Sequence, residues 1–233
     1  MESNMNLIIT TNKISTKKLI NKNKFIEYYS DDNYEEYISN NLDNMKIIII
    51  KNQSDFYDNI LYFIDKYNPN KIFLIGFCSS TNSYYKIGDI LIPSELSVLI
   101  GHPTTWDSRK KLPSIKINKS IISKLKMFAE IASIDLYINK NVTIRNEINS
   151  SAYKSWIHKN YLATSIDSNI FTIAETLQKI NIPIITLLSI NKTYNTSRQV
   201  PILNFLKIFK KNIEPSENIS KFLETYSLFE KKI

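Results

Sequence analysis

Residues 71–95 read KIFLIGFCSSTNSYYKIGDILIPSE, and this stretch decides the fold. An apolar run leads into Gly76, a polar link follows, and Gly88 opens a second apolar run. A continuous apolar run of this kind is typical of a strand buried on both faces of a sheet. The chain has 3 glycines in 233 residues, where average composition gives roughly 16. We therefore interpret Gly76 and Gly88 as positions where the backbone itself requires glycine.

Short apolar runs alternate with helix-spaced segments along the rest of the chain, which favours an α/β domain with a largely parallel sheet. Strands are predicted at residues 6–10, 46–51, 71–77, 89–93, 136–138, 142–144, 162–166 and 182–190. Helices are predicted at residues 55–67, 118–133, 168–180, 201–211 and 216–230. We expect a loop-rich insertion in the polar stretch 21–44 and irregular structure at 100–113. Since no linker or repeat interrupts the pattern, residues 1–233 are interpreted as a single domain.

Composition excludes several classes of protein. The formal net charge is +8, but lysine supplies almost all of it and is spread along the chain. Nucleic-acid binding needs a concentrated basic patch, so we do not expect it. Cys78 is the single cysteine, which excludes a disulfide framework and a cysteine-based zinc site. With no run of about 18 apolar residues for a membrane span and no evident signal sequence, we expect a cytoplasmic protein.

Four strings follow one another in a fixed order: IGFCSS, KIGDILIPSE, HPTTWDSRKKLP at 102–113, and TSIDSNIFTIAETLQKINIPIITLLSINK at 164–192. In order and spacing they resemble the nucleoside phosphorylase and nucleosidase family, which includes methylthioadenosine/S-adenosylhomocysteine nucleosidase. The resemblance implies one α/β domain with a central mixed sheet flanked by helices. It also implies a purine nucleoside ligand, attack of water or phosphate at C1′, a homo-oligomer, and no cofactor or metal.

The acidic residues of the family's active site are replaced in this chain. The residue that holds the ribose hydroxyls falls on Asn169, and the acid that protonates the purine falls on Asn191. The second glycine of the strand-end turn falls on Ser79, and the stretch TTNKISTKK after the first strand has no carboxylate. An amide cannot be a general acid, but it can hydrogen-bond a developing anion. The trimeric phosphorylases, similar in fold, carry an Asn-Lys pair that Asn191-Lys192 matches.

The resemblance implies a role for eight residues. Asn191 is the catalytic candidate, in contact with the base. Arg145 and Glu147 lie where the family has its sugar-site motif, and the turn at 76–80 would hold an anion or the nucleophile. The candidates for substrate binding are Gly76, Ser79, Arg145, Glu147, Asp167, Asn169 and Trp106.

Several of these residues also have a structural interpretation. Gly76 would serve only the geometry of a turn. Asp167 would cap the helix that begins at 168. Trp106 would either stack on a base or pack in a subunit interface. The sequence alone leaves these alternatives open.

Two classes of function also stay open. The protein is an enzyme acting on a purine nucleoside or related ligand, or it is a pseudoenzyme that retains the fold as a ligand-binding or assembly protein. The same scaffold turned to a different reaction on a non-nucleoside substrate is a third interpretation, because function resides in the site and not in the fold.

Overall fold

The computed structural model describes residues 5–52, 56–117, 119–146, 148–180, 182–194 and 214–230. Within them the strands are β1 Asn6–Thr10, β2 Ile26–Ser30, β3 Tyr34–Ile38, β4 Met45–Ile50, β5 Lys71–Ser80, β6 Ile90–Val98, β7 Ser114–Lys116, β8 Leu136–Thr143, β9 Ala163–Asp167 and β10 Ile184–Lys192. The helices are α1 Lys13–Lys22, α2 Phe56–Tyr67, α3 Lys119–Ile131, α4 Ser151–Tyr161, α5 Ile170–Gln178 and α6 Pro215–Glu230. A 3-10 turn lies at Pro103–Thr105.

All of these strands belong to one mixed sheet, part of which closes on itself. Strand β5 pairs in parallel with β10, which pairs antiparallel with β6; β6 and β8 pair in parallel, as do β8 and β9. The end of β9 returns antiparallel to the end of β5 and completes a five-strand ring. From β5 the sheet also continues through β1, β4 and β3 to β2, and β7 pairs with β6. Strand β5 therefore connects the ring to the open part of the sheet.

Helices cover both faces of the sheet. Helices α1, α3 and α6 bury their apolar residues in one core cluster, and α2 and α5 bury theirs in a second cluster on the other face. Helix α4 contributes Ile157 to a smaller cluster with β8 and β9. None of the described helices is both long and apolar enough to cross a bilayer. The expected architecture, a central mixed sheet flanked by helices, is confirmed.

The expectation of a loop-rich insertion at 21–44 is wrong. This stretch contains β2 and β3, a hairpin that extends the sheet antiparallel to β4. All five residues of β2 are exposed, so the strand lacks the alternating burial that would have revealed it. In β3, by contrast, Glu36 and Tyr37 are buried.

Three further elements, α1, α4 and β7, lie where no helix or strand is predicted, and one prediction cannot be compared. The hydrophobic pattern misses α4 because its buried residues are Lys154 and Ile157, and one of them is charged. The two short strands predicted at 136–138 and 142–144 are one strand, β8. The irregular stretch 100–113 contains only the 3-10 turn, and β7 follows it. The helix predicted at 201–211 lies outside the described residues.

Two glycines of the opening stretch have different structural reasons. Gly88 has a φ of 93°, in the left-handed region that L side chains rarely adopt. Gly76 is needed for close packing: a Cβ atom there would lie 2.8 Å from Cδ1 of Ile170 and 3.4 Å from Cδ2 of Leu188. Gly76 therefore allows the first turn of α5 to pack directly on β5.

Replacing Gly76 by alanine is expected to lower the free energy of unfolding by about 1–3 kcal/mol, because the added methyl group overpacks a closed core. Ile170→Val removes the Cδ1 atom that the methyl group would meet. The double variant should therefore be more stable than the summed effects of the two single changes predict. Urea denaturation of the four proteins measures this coupling, and additive effects would contradict the close contact.

Candidate functional site

A polar cleft of about 400 Å³ opens where several strands end. Ligands of open α/β sheets bind beyond the carboxyl ends of the strands. The ends of β1, β5, β8, β9 and β10, with the residues that follow them, form this cleft. Its described lining is Thr11, Asn12, Gly76, Phe77, Cys78, Ser79, Ile144, Arg145, Asn146, Ile148, Ile166, Asp167, Ser168, Asn169, Asn191 and Lys192.

Asn191 enters the cleft from a β-bulge. In the ladder between β5 and β10, Ile190 pairs with Cys78 and Lys192 pairs with Ser79, so Asn191 is the extra residue. A bulge redirects a side chain and is common next to binding sites. The Asn191 side chain lines the cleft, and no described residue hydrogen-bonds to it. Its amide is therefore available to a ligand.

Asp167 is buried and fully engaged by the protein. Its Oδ1 accepts the backbone N–H groups of Asn169 and Ile170 at 2.7 and 2.6 Å. Its Oδ2 accepts the Thr143 hydroxyl at 2.8 Å and the side-chain amide of Asn141. Burial raises the pKa of Asp167, although these hydrogen bonds oppose the shift. Asp167 thus caps the start of α5, which is the structural interpretation of this residue.

Asn169 joins two of the strand ends. Its Nδ2 donates to Oγ1 of Thr11 at 2.7 Å, so the segment after β1 is tied to the start of α5. Asn12, next to Thr11, caps α1 by accepting the N–H of Ile14 at 3.0 Å. The sequence shows no carboxylate in this segment, and no role is predicted for Thr11 and Asn12. Their position directly after a buried strand was the available signal.

Strand β5 supplies the floor of the cleft. Ser79 is half-buried in the lining, and Gly76 is buried beneath the first turn of α5. Cys78 is buried, and this burial raises the pKa of its thiol well above the ordinary value. A thiol in that state is a poor nucleophile, since the thiolate is the reactive form. Cys78 therefore acts as a small core residue.

Two cations face the cleft. Arg145, which follows β8, is exposed, and Lys192 ends β10. Asp167 is the carboxylate of the described lining, and its oxygens are already occupied. Glu147 lies outside the described residues, so its predicted role stays a prediction. The described lining thus combines neutral amides and hydroxyls with two cations.

Trp106 is not brought to the cleft. Its ring packs 5.5 Å from Trp156 and 6.0 Å from Tyr153, measured between ring centroids. Its Nε1 donates to the carbonyl of Gly101 at 3.2 Å. The indole therefore belongs to an aromatic cluster on α4, outside the described lining.

A metal centre has no basis in the part of the chain that is described. No group of three or more His, Cys, Asp or Glu side chains within it could hold an ion.

Comparison with known proteins gives structural matches alone. No family model matches the sequence, and no curated protein matches it either. Futalosine hydrolase of Helicobacter pylori superposes with a TM-score of 0.71 at 17% identity, over 98% of each chain. A variant of H. pylori 5′-methylthioadenosine/S-adenosylhomocysteine nucleosidase, with 5′-methylthioadenosine in its active site, gives 0.70 at 17% identity, over 97% of this chain and 99% of that one.

The corresponding nucleosidase from Neisseria meningitidis, in complex with methylthio-immucillin-A, has a TM-score of 0.71 at 13% identity, over 95% of this chain and 97% of that one. Likeness at this level of identity establishes the fold. The chain has the nucleosidase fold over nearly its whole length, as the resemblance of its strings predicted.

Asp167→Ala is expected to destabilise the protein by about 3 kcal/mol, because it removes a helix cap and leaves the donors on Asn141 and Thr143 without their acceptor. Asp167→Asn keeps the oxygen that caps α5 and should cost less. Thermal unfolding of both variants measures the order. Equal stability of the alanine variant and the parent would contradict the structural role of this carboxylate.

Proposed function

We propose that the cleft binds a purine nucleoside and that the protein cleaves or exchanges the substituent at C1′ of that nucleoside. The observation that carries the proposal is Asn191, whose amide has no hydrogen-bond partner among the described residues and lines a polar cleft at the strand ends. Proteins of the same fold bind 5′-methylthioadenosine and methylthio-immucillin-A. Adenosine-type nucleosides are therefore the first ligands to test.

The amides have distinct tasks in this proposal. Asn191 hydrogen-bonds the purine and stabilises the negative charge that develops when the N-glycosidic bond breaks. Asn169 uses its Nδ2 on Thr11, which leaves its Oδ1 to accept a ribose hydroxyl. The base would gain its proton from solvent, because an amide cannot deliver one.

Phosphate suits this cleft better than water as the nucleophile. Water needs a general base to take its proton. The described lining has no histidine, and its carboxylate, Asp167, already accepts hydrogen bonds from the protein. Phosphate is already an anion, and Arg145 and Lys192 lie in the lining to attract it. A phosphate oxygen would form the bond to C1′ while the C1′–N bond breaks and its electron pair leaves with the purine. The products would be a sugar 1-phosphate and the free base.

A second function has its own supporting observation. The carboxylate of Asp167 caps helix α5, and Asn191 near the end of β10 is an amide, not an acid. A protein that binds the nucleoside without cleaving it would need neither the acid that protonates the purine nor the acid that holds the ribose, and these two positions are Asn191 and Asn169 here. This ligand-binding pseudoenzyme is the alternative that the experiment must separate.

Assembly and location complete the proposal. We propose a homo-oligomer, supported by Ile100, which is 78% exposed close to the Trp106 cluster. Light scattering after gel filtration tests the oligomeric state, and a monomer at micromolar concentration would contradict the proposal.

A cytoplasmic location is in keeping with Cys78 as a lone, unpaired cysteine.

Incubation with 5′-methylthioadenosine, adenosine, inosine and guanosine, with and without phosphate, is expected to release free base only when phosphate is present. Chromatography measures the base. Asn191→Ala should lower kcat/KM by about 10²–10³-fold, through loss of one donor to the developing anion. Asn149→Ala, an exposed residue outside the described lining, is the matched control.

Thermal shift with the same nucleosides separates the two functions. Stabilisation without base release would favour the ligand-binding pseudoenzyme. If no nucleoside either stabilises the protein or is cleaved, the proposed function is wrong. Base release that does not depend on phosphate would overturn the choice of nucleophile.

A further inference from the structure

Lys154 is a buried lysine that the proposed chemistry does not use. It lies on α4 and is 1% exposed. Burying an ammonium group is unfavourable unless its donors find acceptors. Its Nζ donates to the backbone carbonyl of Thr193 at 3.2 Å. A residue that serves packing alone would be apolar at this position, so the polar end of Lys154 is expected to have a role of its own.

A second contact lies beside the first. The hydroxyls of Ser155 and Tyr194 are 2.5 Å apart. Two consecutive residues of α4 therefore hold two consecutive residues of the chain that leaves β10. Thr193 is only two residues beyond the bulged Asn191. The pair of contacts thus lies immediately after the segment that presents Asn191 to the cleft.

The same helix also packs against another part of the cleft lining. Ile157 of α4 is fully buried in a cluster that includes Ile144, Ile148 and Ile166, and these three residues line the cleft. Arg145 lies in that part of the lining. Helix α4 therefore connects the part of the lining that carries Arg145 with the strand end that carries Asn191.

We propose that α4 acts as a clamp on the end of β10 and that Lys154 is a positioning residue for Asn191. The bulge removes Asn191 from the ladder with β5, while Ile190 and Lys192 on either side of it stay paired. The hydrogen bonds that Lys154 and Ser155 form with Thr193 and Tyr194 add a restraint on the chain just beyond this pairing. The part of the inference that concerns ligand binding rests on the proposed function.

Hydrogen exchange of the unliganded protein tests the clamp without any ligand. In Lys154→Met, which keeps most of the buried volume, backbone amides of residues 187–194 should exchange about tenfold faster or more, because local opening becomes easier. Tyr194→Phe, at a partly exposed position, should give a smaller increase in the same segment. Lys159→Met, an exposed lysine of α4, is the control and should exchange like the parent protein. Unchanged exchange at 187–194 in both test variants would overturn the clamp.

Titration with 5′-methylthioadenosine tests the positioning role. Lys154→Met should bind this nucleoside about tenfold more weakly than Lys159→Met does. Melting temperatures of the two unliganded variants are measured alongside, so that a loss of affinity is not confused with a loss of folded protein. Faster exchange with unchanged affinity would overturn the positioning role of Lys154. If the parent protein does not bind the nucleoside, the proposed function fails, while the exchange measurement still decides the clamp.

Discussion

The carboxylate of Asp167 ties together the elements on which the cleft depends. It ends β9, accepts side-chain donors from Asn141 and Thr143 of β8, and accepts the first free N–H groups of α5. Thr143 extends this network by accepting the N–H of Phe171 at 2.9 Å. A buried carboxylate is tolerated only when its acceptor sites are satisfied. Because all of them are used internally, the one acid of the described lining maintains the shape of the cleft.

The sequence was sufficient for the elements that are buried on both faces. Strands β5 and β10 have few exposed positions, so they read as unbroken apolar runs. The resemblance of the four strings to the nucleosidase family predicted a role for Asn169 and Asn191, and both residues lie in the lining of the cleft. The bulge at Asn191 could not be predicted, since it depends on how β10 pairs with β5. Helix α4 was not predicted, because its buried face includes a lysine and a search for apolar spacing does not count lysine as buried.

Charge illustrates the same limit at the hairpin. Lysines are spread along the chain, and many of those in the described residues are exposed. Glu36 of β3, however, is buried and ion-pairs with Lys66 of α2 at 2.8 Å. The Lys66 ammonium also lies 5.0 Å from the ring centroid of Tyr67 and 5.3 Å from that of Tyr28. The buried carboxylate of Glu36 needs such a partner, because an unpaired charge in the interior is strongly destabilising. Residues 21–44, which were expected to form a loop-rich insertion, therefore contact α2 through a charged side chain, Glu36, that contributes to the polar character of this stretch.

The closed ring has a consequence for strand pairing between the edge of this sheet and other chains. Closure removes the free edges from five strands, and among the described strands the remaining edges are β2 and β7. A free strand edge is a template for pairing with another chain. Strand β7 has three residues, which is too short to recruit a partner strand effectively. In β2 the pairing register shifts between Glu27 and Tyr29, and Glu27 adds a charge on this exposed strand. The hairpin therefore ends the sheet with an irregular border that disfavours pairing with another strand.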